Sequence, residues 1–227
     1  HDALPICGAR FDKSLRVETI KPNRLKINLD FPSGKLYYGQ TVPATLSAHW
    51  LHGATARNLK ASISVTLSQS TTSFDGYPGF VFDDPVRTFA TDESVIFEGK
   101  LNENGIAQVN PSISVHEAAP GMLKASFYTR VFEEGGNFSL DRFTMAYAPY
   151  RVFVGVKVPN GDKRGMLITD QNHRIEVVTV NADGRSTDVN GLTYEVYKVN
   201  WRWWWEANDN DLASYTGGHS RNLIAAG

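Results

Sequence analysis

Tyr194-Glu-Val-Tyr-Lys-Val-Asn-Trp-Arg-Trp-Trp-Trp-Glu206 is the stretch on which the reading of this chain turns. With period two, one face carries Tyr197, Val199, Trp201, Trp203 and Trp205, and the other carries Val196, Lys198, Asn200, Arg202 and Trp204. Alternation in a run rich in aromatic and β-branched residues predicts a strand with one buried face. A large ring buries about 150–250 Å². Trp201, Trp203 and Trp205 are therefore expected to anchor a core between two sheets, with Trp50 on an earlier strand in the same role. Trp204 lies on the polar face beside Arg202, and the two are the candidate domain-interface residues.

Outward from that strand the pattern stays β. After Glu206 the chain becomes Ala-Asn-Asp-Asn-Asp, a polar loop. Upstream, Asn190-Gly191 turns into the tryptophan strand, Ile175 to Val180 and Met166 to Thr169 read as strands, Asn160-Gly161 turns, and Val152, Val154 and Val156 alternate. Three or four strands cannot close two sheets, so the unit at 151–227 is expected to be an incomplete sandwich.

Residues 34–150 read as a whole one. Leu46, Ala48 and Trp50 share a face, and Leu59, Ala61, Ile63, Val65 and Leu67 alternate without a break. Phe80 to Phe82, Val95 to Phe97, Ile113 to Val115, Leu123 to Phe132 and Phe143 to Tyr147 complete the series, punctuated by Asp75-Gly76 and Asn104-Gly105. About seven short strands between turn signals predict an antiparallel β-sandwich. In 1–33, His1 to Ile6 reads as a non-native start. Leu15, Val17 and Thr19 read as the last strand of a preceding domain, and Leu25, Ile27, Leu29 and Phe31 as the connection into the next. The weak echo between Thr45–Leu67 and Ile175–Trp205 fits tandem copies of one sandwich type.

Composition narrows the function classes. The 227 residues are 41% hydrophobic and 21% charged, a globular balance. A net charge of −1 gives no electrostatic case for nucleic acid or an anionic membrane. No apolar run approaches the ~20 residues of a membrane-spanning helix. The single cysteine, Cys7, excludes an internal disulfide framework and a cysteine-based zinc site.

Tyr38-Gly-Gln-Thr41, His49-Trp-Leu-His-Gly-Ala54 with Ala56-Arg-Asn-Leu59, and above all Tyr197-Lys-Val-Asn-Trp-Arg-Trp-Trp-Trp-Glu206 resemble the bacterial alpha-2-macroglobulin family. Arg10 to Leu15 and Glu18 to Leu25 are similar to that family's passage between macroglobulin-like domains. The resemblance implies immunoglobulin- or fibronectin-like sandwiches in series within a cell-envelope protein, in the periplasm or at the outer membrane surface. It implies a protease trap in which a cut bait segment triggers a rearrangement and a buried thioester tethers the attacker. The implied partners are host or competitor proteases, through the full-length protein, and neighbouring macroglobulin-like domains. Two departures limit what this stretch does itself. Cys7 is followed by Gly8-Ala9-Arg10 with no Glu-Gln pair anywhere in the chain, and no long bait-like segment is present.

No constellation for catalysis, cofactor or metal emerges. His49 and His52 fall on opposite sides of a strand or in a turn, short of the three protein ligands zinc needs. Asn208-Asp-Asn-Asp211 lacks the glycine and distal glutamate of a calcium loop and reads as solvated. Asp83-Asp84 and Glu133-Glu134 point to opposite faces if on strands, so neither pair converges on one bond. Ser139 and Ser214 have no histidine-and-acid context. The expectation is a non-enzymatic structural fragment of a protease-trapping inhibitor. The alternative is a surface adhesion or carbohydrate-binding sandwich that uses exposed tryptophan faces.

Overall fold

The computed structural model describes residues 23–113, 115, 118–163, 166–168, 170–207 and 213–227, the side chains of 198–207 and 213–222 excepted. Every regular element among them is a strand. The first unit holds β1 (Leu25–Asp30), β2 (Lys35–Tyr37), β3 (Ala44–Trp50), β4 (Lys60–Gln69), β5 (Ser94–Lys100), β6 (Ile106–Val109), β7 (Leu123–Phe132) and β8 (Phe138–Ala148). They form a three-stranded sheet, β1-β3-β6, facing a five-stranded one, β2-β8-β7-β4-β5.

Alternation builds the core. Leu25, Ile27 and Leu29 of β1, Leu46 and Ala48 of β3, Ala61, Ile63, Val65 and Leu67 of β4, and Leu123, Ala125, Phe127 and Val131 of β7 share one buried cluster. β4 and β7 pair without a slip from Lys60↔Phe132 to Gln69↔Leu123. A one-residue shift would turn every apolar side chain to solvent, which is what fixes the register. Phe127 sits at the centre, its ring 5.2 Å from Phe31 and 6.2 Å from Phe143.

Several readings change. Leu25–Asp30 is the first strand of this sandwich, where the sequence suggested a connection; it pairs with β3 from Leu25↔Trp50 to Asp30↔Thr45. β2 runs parallel to β8, so the sandwich is not wholly antiparallel. Ile113 and Val115 cover the core from a loop, which explains their alternation without a ladder. Ile106–Val109 is a strand that the sequence reading left out. Residues 166–168 are not in a strand. Leu15, Val17, Cys7 and the Asn208–Asp211 loop lie outside the described residues.

Polar side chains close the end of the sandwich where β1 enters. Ser139 Oγ, on a buried residue, accepts hydrogen bonds from the backbone N–H of Arg24 (3.1 Å) and Leu25 (3.2 Å). Asn23 bonds both the C=O and the N–H of Leu140. Arg24 pairs with Glu133 at 2.8 Å and lies 5.4 Å above the Trp50 ring, on which His52 also stacks. Ser139→Ala removes the acceptor for two N–H groups, and a stranded buried donor costs about 1–3 kcal/mol. The variant is expected to lose stability in that range in urea titrations. An unchanged midpoint would mean that water takes over both bonds.

The second unit holds β9 (Val152–Lys157), β10 (Glu176–Asn181), β11 (Glu195–Ala207) and β12 (Ala213–Ala226). β9 pairs with β10, and β11 pairs with β12 from Glu195↔Ala226 to Ala207↔Ala213. The tryptophan run is therefore a strand, but its partner Ala213–Ala226 carries too many glycines and polar residues to announce itself.

Candidate interdomain junction

β8 ends at Ala148 and β9 starts at Val152, so Pro149, Tyr150 and Arg151 alone join the two units. A linker that short forces the ends of the two sheets together, and a second apolar cluster fills the space between them. Its buried members are Phe82, Met122, Ala148, Phe153, Val180 and Ala182, flanked by Tyr37, Phe74, Tyr77 and Phe80.

Most of these rings come from the connection between β4 and β5. Its base is tied by Asp83, whose carboxylate accepts from the Thr72 N–H (2.9 Å) and from the Thr72 hydroxyl. Thr72 Oγ1 in turn accepts from the Met122 N–H at 2.7 Å. Ser70 N–H bonds Met122 C=O, and Asp84 N–H bonds Pro120 C=O. Gly121 makes room, since a Cβ there would lie 2.0 Å from Asp83 Oδ1.

So held, the segment presents Phe74, Tyr77, Phe80 and Phe82 to the second unit. Phe74 meets Phe82 edge-on at 4.9 Å and Phe153 at 5.8 Å. Offset and edge-to-face pairs of this kind add about 0.5–1.5 kcal/mol each beyond the area they bury. Two rings rest against glycines. A Cβ on Gly155 of β9 would meet Phe82 Cε1 at 2.4 Å, and one on Gly184 would meet Phe74 Cδ1 at 2.9 Å. Gly184 also takes φ +77°, which favours glycine on its own account. Between the sockets, Val81 and Val156 exchange two backbone hydrogen bonds of 2.9 Å. Phe80-Val81-Phe82, expected as a strand of the first sandwich, is instead this bridge to the second.

A polar clamp lies beside the rings. Asn181 Oδ1 accepts from the N–H groups of Asp183 and Arg185, which shapes the turn after β10. That turn offers Asp183 to β2: Tyr37 donates its hydroxyl at 2.8 Å, and Lys35 Nζ lies 3.4 Å from the same oxygen and 2.5 Å from Ala182 C=O. The hydrogen bond from Tyr37 holds the Asp183 carboxyl below its usual range, helped by Lys35 and Arg185 and opposed by burial. The same bond raises the Tyr37 phenol, with burial and the Asp183 charge adding to it.

The signs set a pH window. A lowered carboxyl contributes stability above its unfolded value of 3.8 and loses it as pH falls through the depressed folded value. A raised phenol contributes fully below 10.0 and loses its share as pH rises through the elevated folded value. In an NMR titration Asp183 should titrate below 3.8, and Tyr37→Phe should move its midpoint up. An Asp183 midpoint that ignores Tyr37→Phe would assign the shift to Lys35 and Arg185.

The structure places the candidate residues read from sequence as follows. Trp201, Arg202, Trp203, Trp204 and Trp205 have their backbone in β11, paired with His219 to Tyr215 of β12, and their side chains lie outside the described residues. Trp50 is partly buried against the main core at its edge, under Arg24. His49 is exposed. Asp83 serves Thr72 while Asp84 pairs with Arg87 at 2.8 Å, so the adjacent carboxylates have separate partners. Glu133 is taken by Arg24. Among the described residues no cluster of His, Cys, Asp and Glu could hold a metal ion. No described helix is long and apolar enough to cross a membrane.

The chain is similar in fold to solved bacterial alpha-2-macroglobulins at low identity. A Salmonella alpha-2-macroglobulin reacted with methylamine matches with TM-score 0.55 and 18% identity, covering 92% of this chain and 14% of that one. The native conformation of the E. coli protein gives the same figures. E. coli alpha-2-macroglobulin activated by porcine elastase gives TM-score 0.56 and 18% identity over 91% of this chain and 18% of that one. The chain thus spans a small part of the length of these proteins. No curated protein matched the sequence. The model of the bacterial alpha-2-macroglobulin MG5 domain matches residues 23–149, and that of bacterial macroglobulin domain 6 matches 155–227. With its first match alone taking in more than half of the 227 residues, the chain belongs to the bacterial alpha-2-macroglobulin family.

Proposed function

We propose that this chain is a structural segment of a bacterial protease-trapping inhibitor of the cell envelope. In the full-length protein it holds neighbouring macroglobulin-like domains in register and passes on the rearrangement that follows bait cleavage. It does this without catalysing a reaction, and the proteases are partners of the whole protein. The observation that carries the reading is the single aromatic cluster shared by two units on a three-residue linker. Such packing makes a turn of one unit felt by the next, because packed interfaces switch between arrangements and do not deform continuously.

The test is made in the full-length inhibitor with Phe74→Ala and Phe82→Ala combined. Protease should still cut the bait, but compaction followed by small-angle scattering should be slowed or incomplete, with more protease activity left free. Normal compaction and normal trapping in that variant would remove the transmitting role.

A further inference from the structure

The two sides of the aromatic segment are built differently, and the difference says where the joint opens. Thr72 and Asp83 close the base of the segment on itself, and toward the first sandwich it is held by directional bonds: Met122 N–H to the Thr72 hydroxyl, Ser70 N–H to Met122 C=O and Asp84 N–H to Pro120 C=O. Thr72 is 3% exposed, so pulling the segment away would strand polar groups inside the protein. Toward the second unit it is held by ring faces on Gly155 and Gly184 and by the Val81–Val156 pair. Val81 is 58% exposed, so water can replace those two bonds when they part. The other contacts the rings make there, Phe74 with Phe153 and Phe80 with Lys157, are apolar or cation–ring contacts and bury no polar group that parting would strand.

We infer that residues 70–84 are a fixed arm of the first sandwich and a releasable clasp on the second. When the units turn against each other, Phe74 leaves Gly184, Phe82 leaves Gly155 and Val81 leaves Val156 together, while the Thr72–Asp83–Met122 tie stays shut. The seam therefore runs on the β9 side of the rings, and the clamp of Tyr37 and Lys35 on Asp183 and Ala182 parts with it. This rests on the junction described above and deepens the proposed transmitting role by naming its moving surface.

Hydrogen exchange on this chain tests it, because each side has its own amide reporter. The Met122 amide reports the tie to the first sandwich, the Thr72 amide reports closure of the arm's own base, and the Val156 amide reports the seam. In Gly155→Ala with Gly184→Ala, Val156 should exchange at least about tenfold faster while Thr72 and Met122 keep their protection. Val81→Pro, which removes one seam bond at an exposed residue, should give the same pattern without crowding the sockets. Loss of protection at Met122 along with Val156, in either variant, would overturn the assignment of the arm to the first sandwich. Unchanged exchange at Val156 would overturn the seam. No protease enters this measurement, so a full-length inhibitor that traps normally with altered rings would count against the earlier proposal and leave this one standing.

Discussion

Gly121→Ala is expected to lower the stability of the first sandwich by about 3 kcal/mol, a large loss for one added methyl group. The new Cβ would lie 2.0 Å from Asp83 Oδ1 and 2.4 Å from Thr72 Oγ1, so something must shift. Neither neighbour is a free side-chain end. Asp83 is held by the Thr72 N–H and hydroxyl, and Thr72 Oγ1 is held by the Met122 N–H. Crowding a packed site costs about 1–3 kcal/mol, and each buried donor left without an acceptor costs a similar amount. Urea unfolding of the wild type, Gly121→Ala, Thr72→Val and the double variant closes a cycle. The two substitutions should be strongly non-additive, because Thr72→Val already breaks the tie that the alanine disturbs. Additive losses, or a loss under about 1 kcal/mol for the alanine alone, would mean that the loop tolerates the methyl group by moving as a whole.

Much of the sandwich was legible in the sequence because its central strands are long and half-buried. Leu59 to Leu67 and Leu123 to Phe132 alternate, and they fall on β4, with Leu59 just before it, and on β7, whose alternate side chains enter the core. In the sequence β1 reads as a strand-like connection between domains. Its pattern is as regular as that of β4, but periodicity says which face is buried and not which sheet buries it. Tertiary pairing with β3 decides that. β2, with three residues, is too short to carry a period. The tryptophan run shows the opposite limit. Its pattern gives the strand, while its mate Ala213–Ala226 becomes one only because β11 supplies a template.

The junction was harder to see, though signals for it exist. Phe74-Asp-Gly-Tyr-Pro-Gly-Phe-Val-Phe82 packs four aromatic residues into a stretch dense in glycine and proline, where a plain surface loop would be polar. Gly155 interrupts the valines of β9, and a glycine inside a strand often marks the close approach of another group. Neither signal names its partner. Phe82 and Gly155 are far apart in the chain, and only the short linker after β8 brings them together. Trp204 and Arg202 stand out in the sequence because large aromatic residues dominate interfaces by area. Small residues opposite rings do the same work at Gly155 and Gly184 without any bulk to advertise it.

Phe127→Ala should cost the first sandwich about 3–5 kcal/mol, which would leave it largely unfolded if its stability is ordinary for a domain of this size. The ring is fully buried between the two sheets and touches Phe31 and Phe143, so its removal leaves a cavity that neighbours on paired strands cannot close. Phe82→Ala removes a ring of the same size from the junction, where it is 7% exposed. Because that ring belongs to the arm and faces Gly155, its loss should loosen the second unit and leave the main transition of the first sandwich within about 1 kcal/mol of wild type. Near-ultraviolet dichroism and tryptophan fluorescence, followed through one urea titration for each variant, separate the cases. Trp50 reports the first sandwich and the tryptophans of β11 the second. If Phe82→Ala shifts the Trp50 transition as far as Phe127→Ala does, the two apolar clusters form one cooperative core and the junction is no joint.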